Sequence, residues 1–268
     1  MTATMPDTDA ILAAQDRRWR STATAGALVA AIVLASAAYS GLLDLDRLSE
    51  GLPALWQLAT EMVPPDFSRA ADWWLPLLDT FAMSIAGTAL AVAFSLPLGF
   101  LAARNTAPSP IVYRLTRTLL NALRSVPELI MGIIFVAAVG FGTLPGVLAL
   151  GIHSIGMVGK FFAEAIEHVD EQPVEAARAA GASPFQVITH AILPQVFPQM
   201  ADVTIYRWEY NFRASTVLGT VGAGGIGFEL ISALRIMNYQ EVLAVMIVVL
   251  AMVTLVDGVG SALRRRTK

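Results

Sequence analysis

Apolar and polar stretches alternate along the whole chain. Six runs are apolar: Thr22–Leu43, Leu77–Ala103, Val126–Phe141, Val147–Ile166, Val196–Val221 and Glu241–Leu263. A helix needs about 20 apolar residues to cross the hydrocarbon of a bilayer, so the pattern predicts six spanning helices. The polar connections differ in charge. Met1–Arg20 ends in Arg17, Arg18, Trp19 and Arg20. Asp44–Asp79 carries Asp44, Asp46, Glu50, Glu61, Asp66, Asp72 and Asp79 against Arg47 and Arg69. Arg104, Arg114, Arg117 and Arg124 mark the next connection, and Arg264, Arg265, Arg266 and Lys268 close the chain. Basic residues concentrate in cytoplasmic connections. The expected topology therefore has both termini inside, residues 1–21 as a cytoplasmic start and residues 44–76 as an external connection.

Local signals refine this picture. Ala35-Ser36-Ala37 imitates a signal-peptide cleavage site, but the run around it is long for a signal peptide, which favours an uncleaved first span. Leu52–Met62 predicts a short interfacial helix ended by Pro64-Pro65, and Trp73-Trp74 an anchor at the membrane interface. Pro97 predicts a kink in the second span. Ile111–Leu123 reads as an amphipathic helix along the inner face, Gly142–Gly146 as a tight external turn, and Lys160–Glu164 as an i,i+4 pair.

Composition excludes several classes. The chain of 268 residues is 56% hydrophobic and 15% charged, with a mean hydropathy of +0.62, as in an integral membrane protein. It contains no cysteine, so disulfides and thiolate chemistry are out. His153, His168 and His190 are scattered and form no metal-hydrolase pattern. No metal site, catalytic residue or nucleic-acid-binding patch is expected, and a membrane-embedded enzyme would need a base cluster that is missing. His153 reads as a hydrogen-bonded packing residue.

One polar stretch has strong local structure. Glu175–Pro194 reads EAARAAGASPFQVITHAILP. Glu175 to Ala180 are mostly strong helix formers, and Gly181 stops the helix. Ser183 and Pro184 start a second helix as N-cap and first helical residue, and Pro194 is expected to end it. The product is a helix–turn–helix that exposes an Ala-rich face. This stretch resembles the "EAA" loop of permease subunits in bacterial ABC importers. Glu175, Ala176, Ala177, Gly181, Leu193 and Pro194 fall in the family register; Ala191 stands where the family has Ile. The resemblance implies that residues 167–194 form a cytoplasmic coupling loop docking on an ATP-hydrolysing subunit, through Glu175, Ala176, Ala177, Gly181, Ser183, Pro184, Leu193 and Pro194.

The fifth span carries charge that is costly in lipid. Thr204–Thr216 contains Arg207, Glu209, Asn211 and Arg213. Glu209 and Arg213 are four apart, so they are expected to pair, whereas Arg207 points elsewhere and needs another partner. Two readings stand: structural pairing near the inner interface, or a lining of a translocation path that also includes Glu128. Gly222-x-Gly224-x-x-Gly227 formally matches a dinucleotide fingerprint, but the fingerprint needs a soluble strand–turn–helix. Gly222, Gly224, Gly225 and Gly227 predict either a broken helix serving as a gate or an external turn.

Arg124–Leu129 (RSVPEL) and Tyr206–Gly227 (YRWEYNFRASTVLGTVGAGGIG) are similar to the permeases of phosphonate importers, whose relatives carry phosphite or phosphate. The resemblance implies an all-α, polytopic, type I importer permease, one transmembrane domain over residues 1–268, in the cytoplasmic membrane. It also implies a second permease copy (identical or a close paralogue), two ATP-binding subunits, an external substrate-binding protein and surrounding lipid. No Gly-x-x-x-x-Gly-Lys-Ser/Thr occurs, so this chain is expected to bind no cofactor itself, ATP and Mg being held by the partner ATPase. Alternatives are a methionine-type importer permease, and an ion-coupled transporter or channel, which would not need the coupling loop.

Overall fold

The computed structural model describes residues 8–267. Among these residues all regular structure is helical. Met1–Asp7 and Lys268, parts of the two basic-flanked ends, lie outside the described residues. By internal contacts the chain divides into two units, Met1–Glu61 and Met62–Lys268.

The first unit contains α1 (Thr8–Tyr39) and α2 (Leu45–Glu61). Arg18–Tyr39 is a 22-residue apolar stretch long enough to span a membrane. The expected interfacial helix starts earlier than its apolar core suggested, with Asp44 accepting the Arg47 backbone N–H at 3.2 Å, and it contains Pro53.

The second unit is a helix bundle. Its elements are α3 (Trp74–Ala102), α4 (Pro110–Ser125), α5 (Glu128–Val139), α6 (Thr143–Glu167), α7 (Glu171–Ala179), α8 (Pro184–Val187), α9 (Leu193–Leu218), α10 (Ile226–Arg235) and α11 (Tyr239–Thr267). A π turn, Ile188–Ile192, joins α8 to α9. Helices α3, α6 and α11 are long and apolar enough to cross a membrane. The remaining candidates are bent pairs: α4 with α5 at 83°, and the helix from Pro184 to Ala223 with α10 at 58°.

Glycines let α3 and α6 pack closely, as small residues do between membrane helices. A Cβ at Gly87 would stand 2.9 Å from Leu150 Cβ, and one at Gly99 2.8 Å from Phe162 Cβ. Phe162, Val158 and Ile166 are buried there with Leu120 of α4 and Ile192 of the π turn. A second cluster joins Met83, Leu150 and Leu218, and a third joins Trp73, Ile226 and Val245.

Several expectations are corrected. The third apolar run gives a helix of only 12 residues, about 18 Å long at 1.5 Å per residue, too short to cross alone. Val126 precedes Pro127, which disfavours helical backbone; Val126 is extended (φ −89°, ψ 120°) and the chain turns there. The turn expected at Gly142–Gly146 is confined to Gly140–Gly142, since α6 starts at Thr143. Trp73 is no interface anchor: it is 1% exposed, in the third core cluster, whereas Trp74 is 65% exposed.

Candidate functional site

The helix–turn–helix forms as its caps dictate. Asp170 caps α7 by accepting the Gln172 N–H at 3.0 Å. Gly181, at φ +83°, ends it, with the Ala182 N–H donating to Ala177 O at 3.1 Å. Ser183 and Gln186 form a reciprocal capping box, with Pro184 next in line. Val174 and Val187 are buried and anchor the two short helices. Glu175, Ala176, Gly181, Ser183 and Pro184 are exposed, while Ala177 and Leu193 pack against the core. A cavity of about 320 Å³ lies beneath, lined by Asn105, Arg178, Pro184 and Ile192 among others.

Pro194 does not end the second helix. It lies in the first turn of α9, directly after the π turn, and the Leu193 N–H donates to Ile188 O. The wider turn shifts the hydrogen-bond register where proline offers no donor. Gln195 Nε2 then donates to Ala191 O at 2.6 Å.

Helix α9 carries the charged stripe, and the structure divides it between two faces. Arg207 is 1% exposed. Its Nε donates to Ser154 Oγ at 2.7 Å, Nη1 lies 3.2 Å from Met157 Sδ, and the guanidinium stands 4.2 Å from the Tyr210 ring centroid. Its Nη2 has no hydrogen-bond partner, and no carboxylate lies within ion-pair distance among the described residues. The Ser154 hydroxyl donates to Asn211 Oδ1 at 3.1 Å, and Asn211 Nδ2 donates to Thr88 Oγ1 at 2.9 Å. Arg207 is thereby fixed to α3 and α6 through neutral groups.

Beside it, the Tyr210 hydroxyl donates to Glu128 Oε1 at 2.7 Å, and His153 Nε2 lies 3.4 Å from Glu128 Oε2. His153 Nδ1 bonds Val126 O at 2.9 Å, the packing role expected of it. Glu128, Tyr210 and Arg213 line one cleft of about 230 Å³ with Leu129, Val217 and Leu218. The structure thus brings Glu128 and Arg213 together and keeps Arg207 behind the Tyr210 ring.

The expected Glu209–Arg213 pair is not made. Glu209 turns to Arg264 of α11 at 2.8 Å, and Arg213 to Asp257 of α11 at 2.9 Å. Both partners lie more than 40 residues along the chain, where the pattern of α9 does not point to them. Tyr210, Ser154 and Thr88 are equally silent in the sequence, since their hydroxyls leave no periodic signal in apolar helices. Gly260 of α11 makes room for Glu209, because a Cβ there would occupy the place of the carboxylate.

The glycine run breaks the helix inside the protein and is not a solvent-exposed turn. Gly222, Gly224 and Gly225 have φ of +101°, +77° and +76°, values that favour glycine. Gly222, Gly225 and Gly227 are buried. Gly227 passes so close to the Thr216 carbonyl that no Cβ would fit. Thr80 Oγ1 of α3 accepts the Ile226 N–H at 2.9 Å, which fixes the start of α10.

Among the described residues no His, Asp and Glu cluster has metal-binding geometry. Comparison with known proteins gives the wider context. Residues 95–268 match the family model "Binding-protein-dependent transport system inner membrane component". The chain is 70% identical over 242 residues to the phosphite transport system permease protein PtxC of Stutzerimonas stutzeri, covering 90% of this chain and 88% of that protein. It is 43% identical over 218 residues to the phosphate-import permease protein PhnE of Mycolicibacterium smegmatis, covering 81% of this chain and 41% of that one. Its fold resembles an inward-facing structure of the MetNI methionine ABC transporter, with a TM-score of 0.63 and 21% identity over 81% of this chain and 98% of that chain. The chain is an all-α inner-membrane permease and belongs to the family of binding-protein-dependent transport system inner membrane components.

Proposed function

We propose that this chain is the membrane-spanning subunit of an ATP-driven importer for phosphorus oxyanions: phosphite, phosphonate or phosphate. Buried Arg207 carries the reading: its charge is held by neutral groups and one of its nitrogens has no partner. Such a cation raises the affinity of the neighbouring cleft for an anion, and the half-exposed guanidinium fork of Arg213 in that cleft suits phosphoryl oxygens. The similarity to proteins named for phosphite and phosphate transport supports the same solute class. Arg207, Asn211, Arg213, Glu209 and Glu128 line or brace the path, and Tyr210 joins them. The Glu128 carboxylate limits how deeply the anion binds, since a path must also release its solute.

The exposed face of Glu175, Ala176, Gly181, Ser183 and Pro184 is the docking site for the ATPase. Hydrolysis belongs to two partner subunits, which hold ATP and Mg; this chain binds no cofactor. A second permease copy, identical or a close paralogue, completes the pore, and an external binding protein delivers solute. Six spans with both ends inside result when each bent helix pair crosses once. Gly222, Gly224, Gly225 and Gly227 act as a gate, where irregular backbone is enclosed by protein.

Reconstituted uptake tests the proposal. The assembled transporter with its binding protein is expected to accumulate phosphite, methylphosphonate or phosphate in an ATP-dependent way. Accumulation of methionine with none of these oxyanions would overturn it in favour of the methionine-type alternative.

A further inference from the structure

Between Arg104 and Ser125 lies a surface that neither the path nor the ATPase dock uses. Helix α4 has three faces. Thr116 and Leu120 are buried, and Leu120 lies against Gly156 and Gly159 of α6. Ile111 and Leu115 are 69% and 66% exposed, and Leu119 continues their i,i+4 stripe. Arg114 and Asn121 are exposed along the edge of that stripe. The bend of 83° to α5 turns α4 away from the direction of that helix. An apolar stripe edged by an arginine and an asparagine on such a helix fits the plane between headgroups and acyl chains.

At the start of α4 is a cleft of about 510 Å³, whose lining includes Arg104, Ala107, Pro108, Ser109, Tyr113 and Arg114 and no acidic residue. Arg104 Nε donates to the Tyr113 hydroxyl at 3.0 Å. The nearby carboxylate of Glu167 is otherwise engaged: it accepts the Arg104 backbone N–H at 2.8 Å and pairs with Arg117 at 3.0 Å. Arg114 makes no ion pair among the described residues. Two guanidinium groups therefore face one cleft, with the apolar stripe running on from it.

We propose that this cleft seats the headgroup phosphate of an anionic phospholipid, with α4 lying along the acyl boundary of that leaflet. The inference rests on the membrane-subunit reading above. A free oxyanion would use the two arginines but would have no use for the adjoining stripe, so the occupant is a lipid. The leaflet is the one on the ATPase side, because Asn105, next to Arg104, bonds Ile166 O at 2.6 Å and lines the cavity under the coupling helices.

The test uses the assembled transporter in detergent, titrated with phosphatidylglycerol or phosphatidylcholine, with bound lipid read by mass spectrometry. One phosphatidylglycerol per permease chain is expected to bind in preference to phosphatidylcholine. Arg104→Gln/Arg114→Gln should weaken that site about twenty-fivefold, at roughly fivefold per arginine near an anionic surface. Arg104→Lys/Arg114→Lys should retain most of the binding, and Leu115→Asn should weaken it. Millimolar inorganic phosphate should leave binding unchanged. Equal binding of both lipids by the unaltered protein, full retention by the glutamine pair, or displacement by phosphate would each overturn the proposal. If the glutamine pair fails to assemble, the comparison of the two lipids on the unaltered protein decides. The readout needs neither uptake nor ATP, so an error in the solute assigned above would show in the uptake assay and leave this one untouched.

Discussion

Arg207 and Arg213 lie on one helix and are held in different ways. Arg207 is enclosed by neutral partners, whereas Arg213 and Asp257 are both nearly half exposed. An exposed pair adds little to stability, so Arg213 is the better probe of transport. Arg213→Gln should lower reconstituted uptake about tenfold, equivalent to roughly 1.4 kcal/mol of barrier, with normal assembly and basal ATPase activity. Arg213→Gln/Asp257→Asn should not restore uptake. Recovery in the double variant would make the pair structural. Glu209 behaves differently, since its carboxylate is buried against Arg264. Arg264→Gln leaves that charge inside with its main cation removed, at a cost of about 3 kcal/mol. A lowered thermal midpoint is expected, with partial recovery in Glu209→Gln/Arg264→Gln; an unchanged midpoint in the single variant would show that the carboxylate is not held by Arg264.

At the scale of elements, two glycine-dependent turns make different demands. Gly181 has open space around its Cβ position but a φ of +83°. Valine there strains the backbone by about 1–2 kcal/mol, and asparagine tolerates that conformation better. Gly181→Val should therefore abolish ATPase stimulation with insertion intact, while Gly181→Asn keeps part of it. Equal activity in both would separate the turn geometry from coupling. Gly227 has the opposite problem: its backbone is helical, but the Thr216 carbonyl occupies the space of a Cβ. Gly227→Ala should destabilise the packing of α10 against α9 and reduce the yield of folded protein. A normal yield and thermal midpoint would mean that the broken segment shifts easily.

For the whole molecule, the α7–α8 turn and the basic loop after α3 share one end of the bundle, where Asn105 bonds Ile166 O of α6 and lines one cavity with Arg178 and Pro184. The other end holds Arg69, which pairs with Glu241 at 2.8 Å and with Glu229 at 3.6 Å. The Glu241 carboxylate raises the Arg69 guanidinium above its ordinary value. The chain has no cysteine, so single introduced thiols report topology cleanly. Ser68→Cys should react with an impermeant reagent in intact cells, and Ser183→Cys only after lysis. The reverse result would invert the orientation.

The amino-acid sequence by itself determined what depends on near neighbours. Apolar run length set the long helices, Ser109 and Ser183 each followed by proline set two helix starts, and the positive-φ glycines set the breaks at Gly181 and Gly222. Lys160 and Glu164 pair at 3.8 Å because one turn of helix suffices to join them. Tertiary structure decided what depends on which helix packs against which face. Glu209 and Arg213 are one turn apart, yet each pairs with α11, because that helix brings Arg264 and Asp257 closer than the turn brings the two to each other. Trp73 left the interface because Ile226 and Val245, far along the chain, offered it a buried place. Pro194 stayed inside a helix because a π turn before it removed the need for its missing donor. Helical periodicity fixes the direction of a side chain but not what stands opposite, and that partner arrives only when distant segments pack.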